Sequence, residues 1–404
     1  MVNIATPLLP GIGNFDYTTI IFYIFFFLVM PILYIRMTYW QAIAKLETVS
    51  NSLAKMSDDA KKIVLKKISK NPDAKTKNEV NDFMEFFVIE PVSLDPYGIM
   101  GKIEHLVNLS EDRFKQFSEK VAPQLDAEQQ ANLVMGMSGA ISLNQISKIV
   151  RHILELVKKT KNPQLAMIYQ MQMPLIERIA KALLKGTEAL SNGWPIGDAA
   201  GPMFAGYMIE SAKTTEIEQD VLMAKRKIKG RNVFILKAKG PGGRLGKLGK
   251  AAEKIIKKEK IKKVITVDAA AKLEGERTGS VAQGVGVAIG GPGIDRNYIE
   301  NLSTKLQIPI DTFVIKMGQE EAIMPIKREV MNAIPRVIEL VEQDIASTQG
   351  NVLVIGVGNT GGVGNTKKAV IEAEAQANKI LQMQKNKKDE EKEKKHDWSS
   401  WFGI

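Results

Sequence analysis

Residues 352–365 read Val-Leu-Val-Ile-Gly-Val-Gly-Asn-Thr-Gly-Gly-Val-Gly-Asn. A short run of branched apolar residues closed by a glycine turn predicts a strand covered on both faces, with a helix starting near Thr366. Working outward, a long helix is expected from Ala322 to Ile345. The strand pattern repeats at Phe313-Val314-Ile315, Val264-Ile265-Thr266-Val267 and Val233-Phe234-Ile235-Leu236, with a helix through Ile255-Ile256. Such strands separated by helices predict βαβ units with right-handed crossovers. The fold class expected is α/β: an N-terminal single transmembrane helix, a helical middle domain, and a C-terminal three-layer α/β/α domain with a mostly parallel sheet.

Further toward the N-terminus the texture changes. From Gly101 to about Leu190 the periodicity is helical, with starts predicted at Ser110-Glu111-Asp112 and Asp126-Ala127-Glu128, and with Pro163 and Pro174 breaking or beginning elements. Leu46, Val49, Leu53, Met56, Ala60 and Ile63 recur at spacings of three and four until Asn71-Pro72-Asp73. Two readings stay open for that seam: one face packing on its own domain, or a short coiled-coil stalk forming a homo-oligomer. Tyr17 to Ile35 is an uncharged apolar run, long enough at 1.5 Å per residue to cross a ~30 Å hydrocarbon core. Lys and Arg are absent before it, whereas Arg36, Lys45 and Lys55 follow. The positive-inside rule therefore predicts a single-pass cell-membrane protein, N-terminus outside and bulk cytoplasmic. The boundaries expected are 1–15 extracytoplasmic, 16–37 transmembrane, 38–97 amphipathic stalk and linker, 98–190 helical, 191–378 α/β, and 379–404 a charged tail ending in aromatics (Trp398, Trp401, Phe402).

Composition narrows the chemistry. The 404 residues are 45% hydrophobic and 25% charged, which excludes wholesale disorder. No cysteine is present, so disulfides, thiolate metal sites and Cys nucleophiles are excluded. The three His lie far apart in sequence, which disfavours a zinc site or a Ser-His-Asp triad, and no metal ligands are assigned. The net charge of +11 suits a lipid surface or a nucleic acid. No zinc knuckle, helix-turn-helix or aromatic-plus-basic motif supports the latter, and nucleic acid is not an expected partner.

Three glycine-rich loops follow predicted strands, at the edge where open parallel sheets bind ligands. Glycines there let backbone N–H groups approach an anion. The first, from Gly240 to Lys250, offers Arg244, Lys247 and Lys250. It fails the phosphate-loop spacing in both registers: Pro241 and Arg244 stand where a glycine is needed, Leu248 and Ala251 where Ser or Thr is needed. In the second region Asp268 closes a strand, followed by Glu274, Glu276 and Arg277 and then by Gly284 and Gly286. Asp268, Glu274 and Glu276 are the candidate catalytic residues, since a carboxylate at a sheet's ligand edge serves as base, nucleophile or cation ligand; helix capping is the alternative for Asp268. The third loop offers Gly356, Gly358, Asn359, Thr360 and Asn365. With Arg244, Lys247, Arg277, Gly284 and Gly286 these are the candidate ligand-binding residues. The third loop meets G-x-G-x-x-G only approximately, and no acidic residue on a later strand supports a dinucleotide. No cofactor is identified.

The anchor near the N-terminus, Leu94-Asp95-Pro96-Tyr97-Gly98-Ile99-Met100, Gly275-Glu276-Arg277-Thr278-Gly279-Ser280-Val281-Ala282 and the Gly358-Asn359-Thr360 loop resemble an archaeal membrane-anchored family, domain of unknown function fifteen-twelve. That resemblance implies location rather than activity. Val354-Ile355-Gly356-Val357-Gly358-Asn359 is similar to the opening strand and loop of hydrogenase-maturation endopeptidases. Val267-Asp268-Ala269-Ala270-Ala271 is similar to a segment of spore-germination proteases. This second likeness implies a peptidase-like α/β/α domain with Asp268 as its acid. Maturation endopeptidases place an acidic pair after the Gly-Asn turn to hold metal; Gly361, Gly362 and Val363 stand there in this chain.

Together these readings predict a membrane-anchored protein whose α/β domain binds an anionic or nucleotide-like small molecule. The alternatives are a tethered peptidase-like hydrolase and a non-enzymatic membrane scaffold.

Overall fold

The computed structural model describes residues 17–92 and 98–401. The predicted extracytoplasmic segment 1–15, the motif residues Leu94 to Tyr97 and the terminal Phe402 lie outside them. Among the described residues two compact units are present: residues 17–54 with 146–177, and residues 55–92, 98–145 and 178–401.

Helix α1 (Tyr17–Ile24) passes through a π-helical turn, Phe25–Val29, into α2 (Met30–Ile68). Pro31 lacks an N–H and its ring crowds the carbonyl four residues back; the wider turn just before it absorbs that misfit. Helices α3 (Ala74–Phe83), α4 (Ile99–Val121), α5 (Ala127–Thr160) and α6 (Pro163–Asn192) follow. Asp73 caps α3 by accepting the Thr76 N–H, and Asp126 caps α5 by accepting those of Glu128 and Gln129. Ser110 to Asp112, expected to start a helix, lies inside α4.

In the first unit the side chains from Ile21 to Met37 are nearly all exposed, although apolar; burial begins at Ala42 and Ile43. Among the described residues one helix, Ile21–Ile68, is long and apolar enough to cross a membrane, a property that a signal sequence shares. Leu46, Val49 and Leu53 of α2 are buried, as are Val150, Leu154 and Val157 of α5 and Ala166 and Met173 of α6. Met56 and Ala60, in the second unit, are buried too. Of the seam residues, Ile63 is half-buried.

The second unit holds a 3-10 turn, Gly197–Ala199, then α7 (Ala200–Ile209), β1 (Thr214–Glu218), β2 (Val221–Ile228), β3 (Arg231–Ala238), α8 (Leu248–Lys258), β4 (Ile261–Ala271) and β5 (Val281–Val285). It continues with α9 (Ile294–Leu306), β6 (Ile310–Met317), α10 (Gln319–Ile323), α11 (Arg328–Ser347), β7 (Asn351–Gly356) and α12 (Lys367–Trp401). The strands form one sheet in the order β1-β2-β3-β7-β4-β6-β5. β3, β7, β4 and β6 run parallel; β1, β2 and β5 add antiparallel edges. Phe234, Leu236, Val264, Leu353 and Ile355 point to α8 and α9. Val233, Ile235, Ile265, Val267, Phe313 and Val354 point to α7, α11 and α12. The architecture is thus the three-layer α/β/α class with a mostly parallel sheet.

The antiparallel edges were not foreseen. β1 (Thr-Thr-Glu-Ile-Glu) and the charged half of β2 (Lys225 to Lys227) are half-exposed edge sequence and lack a buried strand's apolar run. The helix expected from Ala322 to Ile345 is split into α10 and α11 around Pro325.

Two features position the site. First, β7, the last strand in sequence, lies between β3 and β4. β3 and β4 lead to helices on one face and β7 leads to α12 on the other, so the β7–β4 border is a topological switch point. Second, α7 lies directly on this border. A Cβ on Gly201 would meet the Val357 oxygen at 2.1 Å and the Val267 oxygen at 2.7 Å, so only glycine fits. Gly201→Ala should destabilise the chain by roughly 2–4 kcal/mol through overpacking against backbone. Gly101→Ala, at a helical position with open space around it, should be neutral or stabilising by roughly 0.5–1 kcal/mol. Urea unfolding of the detergent-solubilised chain compares them.

Candidate functional site

Asp268 is the last buried residue of β4, on the strand face that Val264 turns to α8 and α9. It is 7% exposed. Its Oδ1 accepts the Ala269 N–H at 2.7 Å. The segment after β5 turns back across the sheet: the Ala288 N–H reaches the Thr266 and Thr312 hydroxyls, at 3.3 and 3.2 Å. That crossing brings the Gly290 backbone to the Asp268 carboxyl.

Asp198 arrives from the 3-10 turn ahead of α7. Its Oδ2 accepts the Asn359 N–H at 2.8 Å. Gly358, at φ +131°, makes this approach possible, since a Cβ there would lie 1.9 Å from the Asp198 carbonyl oxygen. Burial pushes the Asp198 carboxyl above the usual carboxylate range against the opposing pull of the Asn359 N–H. Burial, and then the neighbouring Asp198 charge, push Asp268 well above that range. The Asp198 charge thus adds to burial in disfavouring ionisation of Asp268.

A cleft of about 380 Å³ opens beside this pair, walled by Glu104 and Asn108 of α4, the start of α8, residues 289–292, the start of α9, and Gly358. Lys250 pairs with Glu104 at 2.6 Å, and the Tyr298 hydroxyl donates to the same carboxylate at 3.0 Å. The Lys250 bond holds Glu104 below its ordinary pKa. Lys247 donates to Asn108 at 3.0 Å. Asp295 accepts the Gly249 N–H at 2.6 Å and so ties the first turns of α8 and α9 together. Among the described residues no three His, Asp or Glu groups are placed to hold a metal ion.

Of the residues singled out from sequence, Asp268, Lys247, Lys250 and Gly358 line this cleft. The others do not. Glu274 and Arg277 are exposed on the loop after β4, and Glu276 is spent on Lys316 and the Leu273 N–H. Gly284 and Gly286 lie beside Thr312 and Ile310, toward the opposite end of β6. Gly356 is closed off by α7: a Cβ on it would lie 2.4 Å from the Gly201 oxygen. Arg244 is held by Glu128 at 2.6 Å and Asp220 at 3.1 Å.

Thr360 and Asn365 hydrogen-bond within the chain, as does Asn359 through its Oδ1, while the buried Asn359 Nδ2 has no hydrogen-bond partner among the described residues. The buried Thr360 hydroxyl donates to the Gly242 oxygen at 2.7 Å and accepts the Arg244 N–H at 3.2 Å. Asn359 Oδ1 accepts the Gly361 N–H at 2.8 Å. Asn365 clasps Gly240 through both its amide atoms. These bonds latch the first and third glycine loops to each other.

Asp198 was missed, yet its signal was present: it is the single acid in the small and apolar run from Trp194 to Ile209. Lys237 was missed as well. It is fully buried on β3 and donates to the Gly364 oxygen at 3.1 Å and to Asn365 Oδ1 at 2.9 Å.

Fold and cleft together define a doubly wound α/β domain with a carboxyl pair at its switch point, in a chain that also carries a long apolar helix. The chain belongs to the DUF1512 family: the protein of unknown function (DUF1512) N-terminal domain matches residues 20–193, and the DUF1512 C-terminal domain matches residues 196–364. No curated protein and no solved structure matches the sequence.

Two pH-dependent outcomes follow from the buried groups. The native Asp268 carboxyl holds its proton to higher pH than the unfolded value of 3.8, so its cost to stability grows as pH rises from about 4 and levels off once it ionises. Asp268→Asn should therefore raise the melting temperature at pH 8, by roughly 1–3 kcal/mol of stability, with the gain vanishing toward pH 4. For Lys237, burial lowers the pKa from 10.5 to about 7. The unfolded chain then binds more protons between those values, and stability rises with pH across that window. Lys237→Met should flatten the rise between pH 7.5 and 9.5, read by thermal melts.

Proposed function

We propose that this is a membrane-tethered protein whose α/β domain binds a small polar molecule in the Asp198–Asp268 cleft. The observation that carries the reading is the carboxyl pair itself, set at the switch point where a doubly wound sheet binds its ligands. The pair suits a donor or cationic group of the ligand. Lys247, Lys250 and the first turns of α8 and α9, on the same cleft, suit an acceptor or anionic group. A ligand bearing both kinds of group fits better than a nucleotide-like polyanion, because five carboxyl residues line the cleft against two lysines. The apolar helix from Ile21 supports the tether, with the flanking charges favouring a cytoplasmic α/β domain.

A second reading, hydrolysis, is favoured by the raised carboxyl pKa values. A carboxyl pair holding one proton would offer an ionised member to deprotonate a water and a protonated member to protonate a leaving group.

Thermal shift of the full chain against zwitterionic amino acids, short peptides and a nucleotide panel tests the binding, since a ligand of the native state raises its stability. A shift with amino acids or peptides that Asp268→Asn removes is the expected result. A flat response, or a nucleotide shift that survives Asp268→Asn, overturns the reading. Peptide turnover lost on Asp198→Asn or Asp268→Asn would support hydrolysis.

A further inference from the structure

In the second unit the Asp198–Asp268 cleft has a neighbour. A cavity of about 510 Å³ lies beside it, between α4, the first turns of α5, the turn at Gln219 and Asp220, and residues 243–247. Glu111, Leu245, Gly246 and Lys247 wall both spaces. Helix α4 borders both along one face, with Glu104, Asn108 and Glu111 at the cleft and Glu111, Lys115 and Glu119 at the cavity. These positions recur at the three- and four-residue spacings that line one side of a helix. At 1.5 Å per residue the stretch from Glu104 to Glu119 is ~22 Å long. An extended chain advances about 3.3–3.6 Å per residue, so roughly six residues fit along it.

The charges say what kind of chain suits this length. In the cavity Arg244 is neutralised by Glu128 and Asp220, and Lys239 by Glu216. Among the described residues the side chains of Glu111, Asp112, Lys115 and Glu119 form no hydrogen bond or ion pair. Three uncommitted carboxylates thus stand with one uncommitted lysine. At the boundary Lys247 gives one N–H of its ammonium to Asn108 at 3.0 Å, which leaves the other two for a carbonyl of a passing backbone. Leu245, in the same shared wall, is 54% exposed and offers an apolar contact there.

We infer that cleft and cavity form one groove for an extended peptide that carries a basic side chain. The amino terminus of the peptide meets the Asp198–Asp268 pair, a backbone carbonyl meets Lys247, and a Lys or Arg side chain reaches Glu111, Asp112 and Glu119. From Asn108 to Lys115 the helix rises ~10 Å, which is about three residues of extended chain. This deepens the cleft reading and rests on it, since the carboxyl pair remains the first anchor.

Titration calorimetry of the detergent-solubilised full chain at low ionic strength provides the test. The probes are dialanine and alanine pentapeptides with alanine, lysine or glutamate at the fourth position. The lysine peptide should bind about tenfold tighter than the glutamate peptide, because attraction to partly exposed carboxylates is exchanged for repulsion. It should also bind tighter than dialanine, and Asp268→Asn should abolish its binding. Asp112→Asn and Glu119→Gln, both at exposed helix positions, should each lower the preference for lysine over glutamate about twofold. Equal binding of all four probes, lost on Asp268→Asn, overturns the groove and leaves the cleft reading standing. A lysine preference untouched by Asp112→Asn and Glu119→Gln, or lysine-peptide binding unchanged by Asp268→Asn, also overturns the groove. Absence of binding by every probe overturns the groove and the cleft reading together.

Discussion

The seat of α7 on the β7–β4 border governs the rest of the α/β domain. Gly201 lets the helix descend onto the carbonyls of Val357 and Val267, and Gly356 and Gly358 clear the space from below. Only at that distance can the turn ahead of α7 carry Asp198 to the Asn359 N–H and into electrostatic range of Asp268. A larger residue at any of these glycines would lift the helix and separate the two carboxyls. The cleft is therefore a consequence of backbone packing before it is a consequence of side-chain chemistry.

The latch between the first and third glycine loops acts alongside that seat. Thr360 and Asn365 hold residues 240–244 against the end of β7. Glycine loops that look free to cradle a ligand are here bonded to each other, and that bonding fixes where α8 starts and so where Lys247 and Lys250 stand. Buried polar groups satisfied in this way rigidify a site without touching its ligand.

Much of this fold was legible because the central strands carry unbroken branched apolar runs; Val264 to Val267 and Val352 to Ile355 have no other comfortable place than a covered parallel sheet. The edges were not, because β1 and β5 are half-exposed and their sequences obey solvent as much as the sheet. Asp268 could be found since it interrupts a buried strand at its ligand edge. Its partner could not be paired with it, because Asp198 reaches the cleft through a tertiary contact seventy positions away in sequence. Gly284 and Gly286 stand apart from Asp268 for the opposite reason: β5 carries the chain toward the other end of the sheet, while Glu274 and Glu276 stay on the loop after β4, where Glu276 bonds Lys316.

The two sheet margins carry a further implication. β1 is interrupted by a bulge between Glu216 and Glu218, and both glutamates are committed to lysines, Lys239 and Lys254. β5 is five residues long and ends against the left-handed turn of Gly286. Neither margin presents a flat ladder for another chain's strand. Copies crowded together can therefore collide edge-on without zippering into extended cross-molecular sheets.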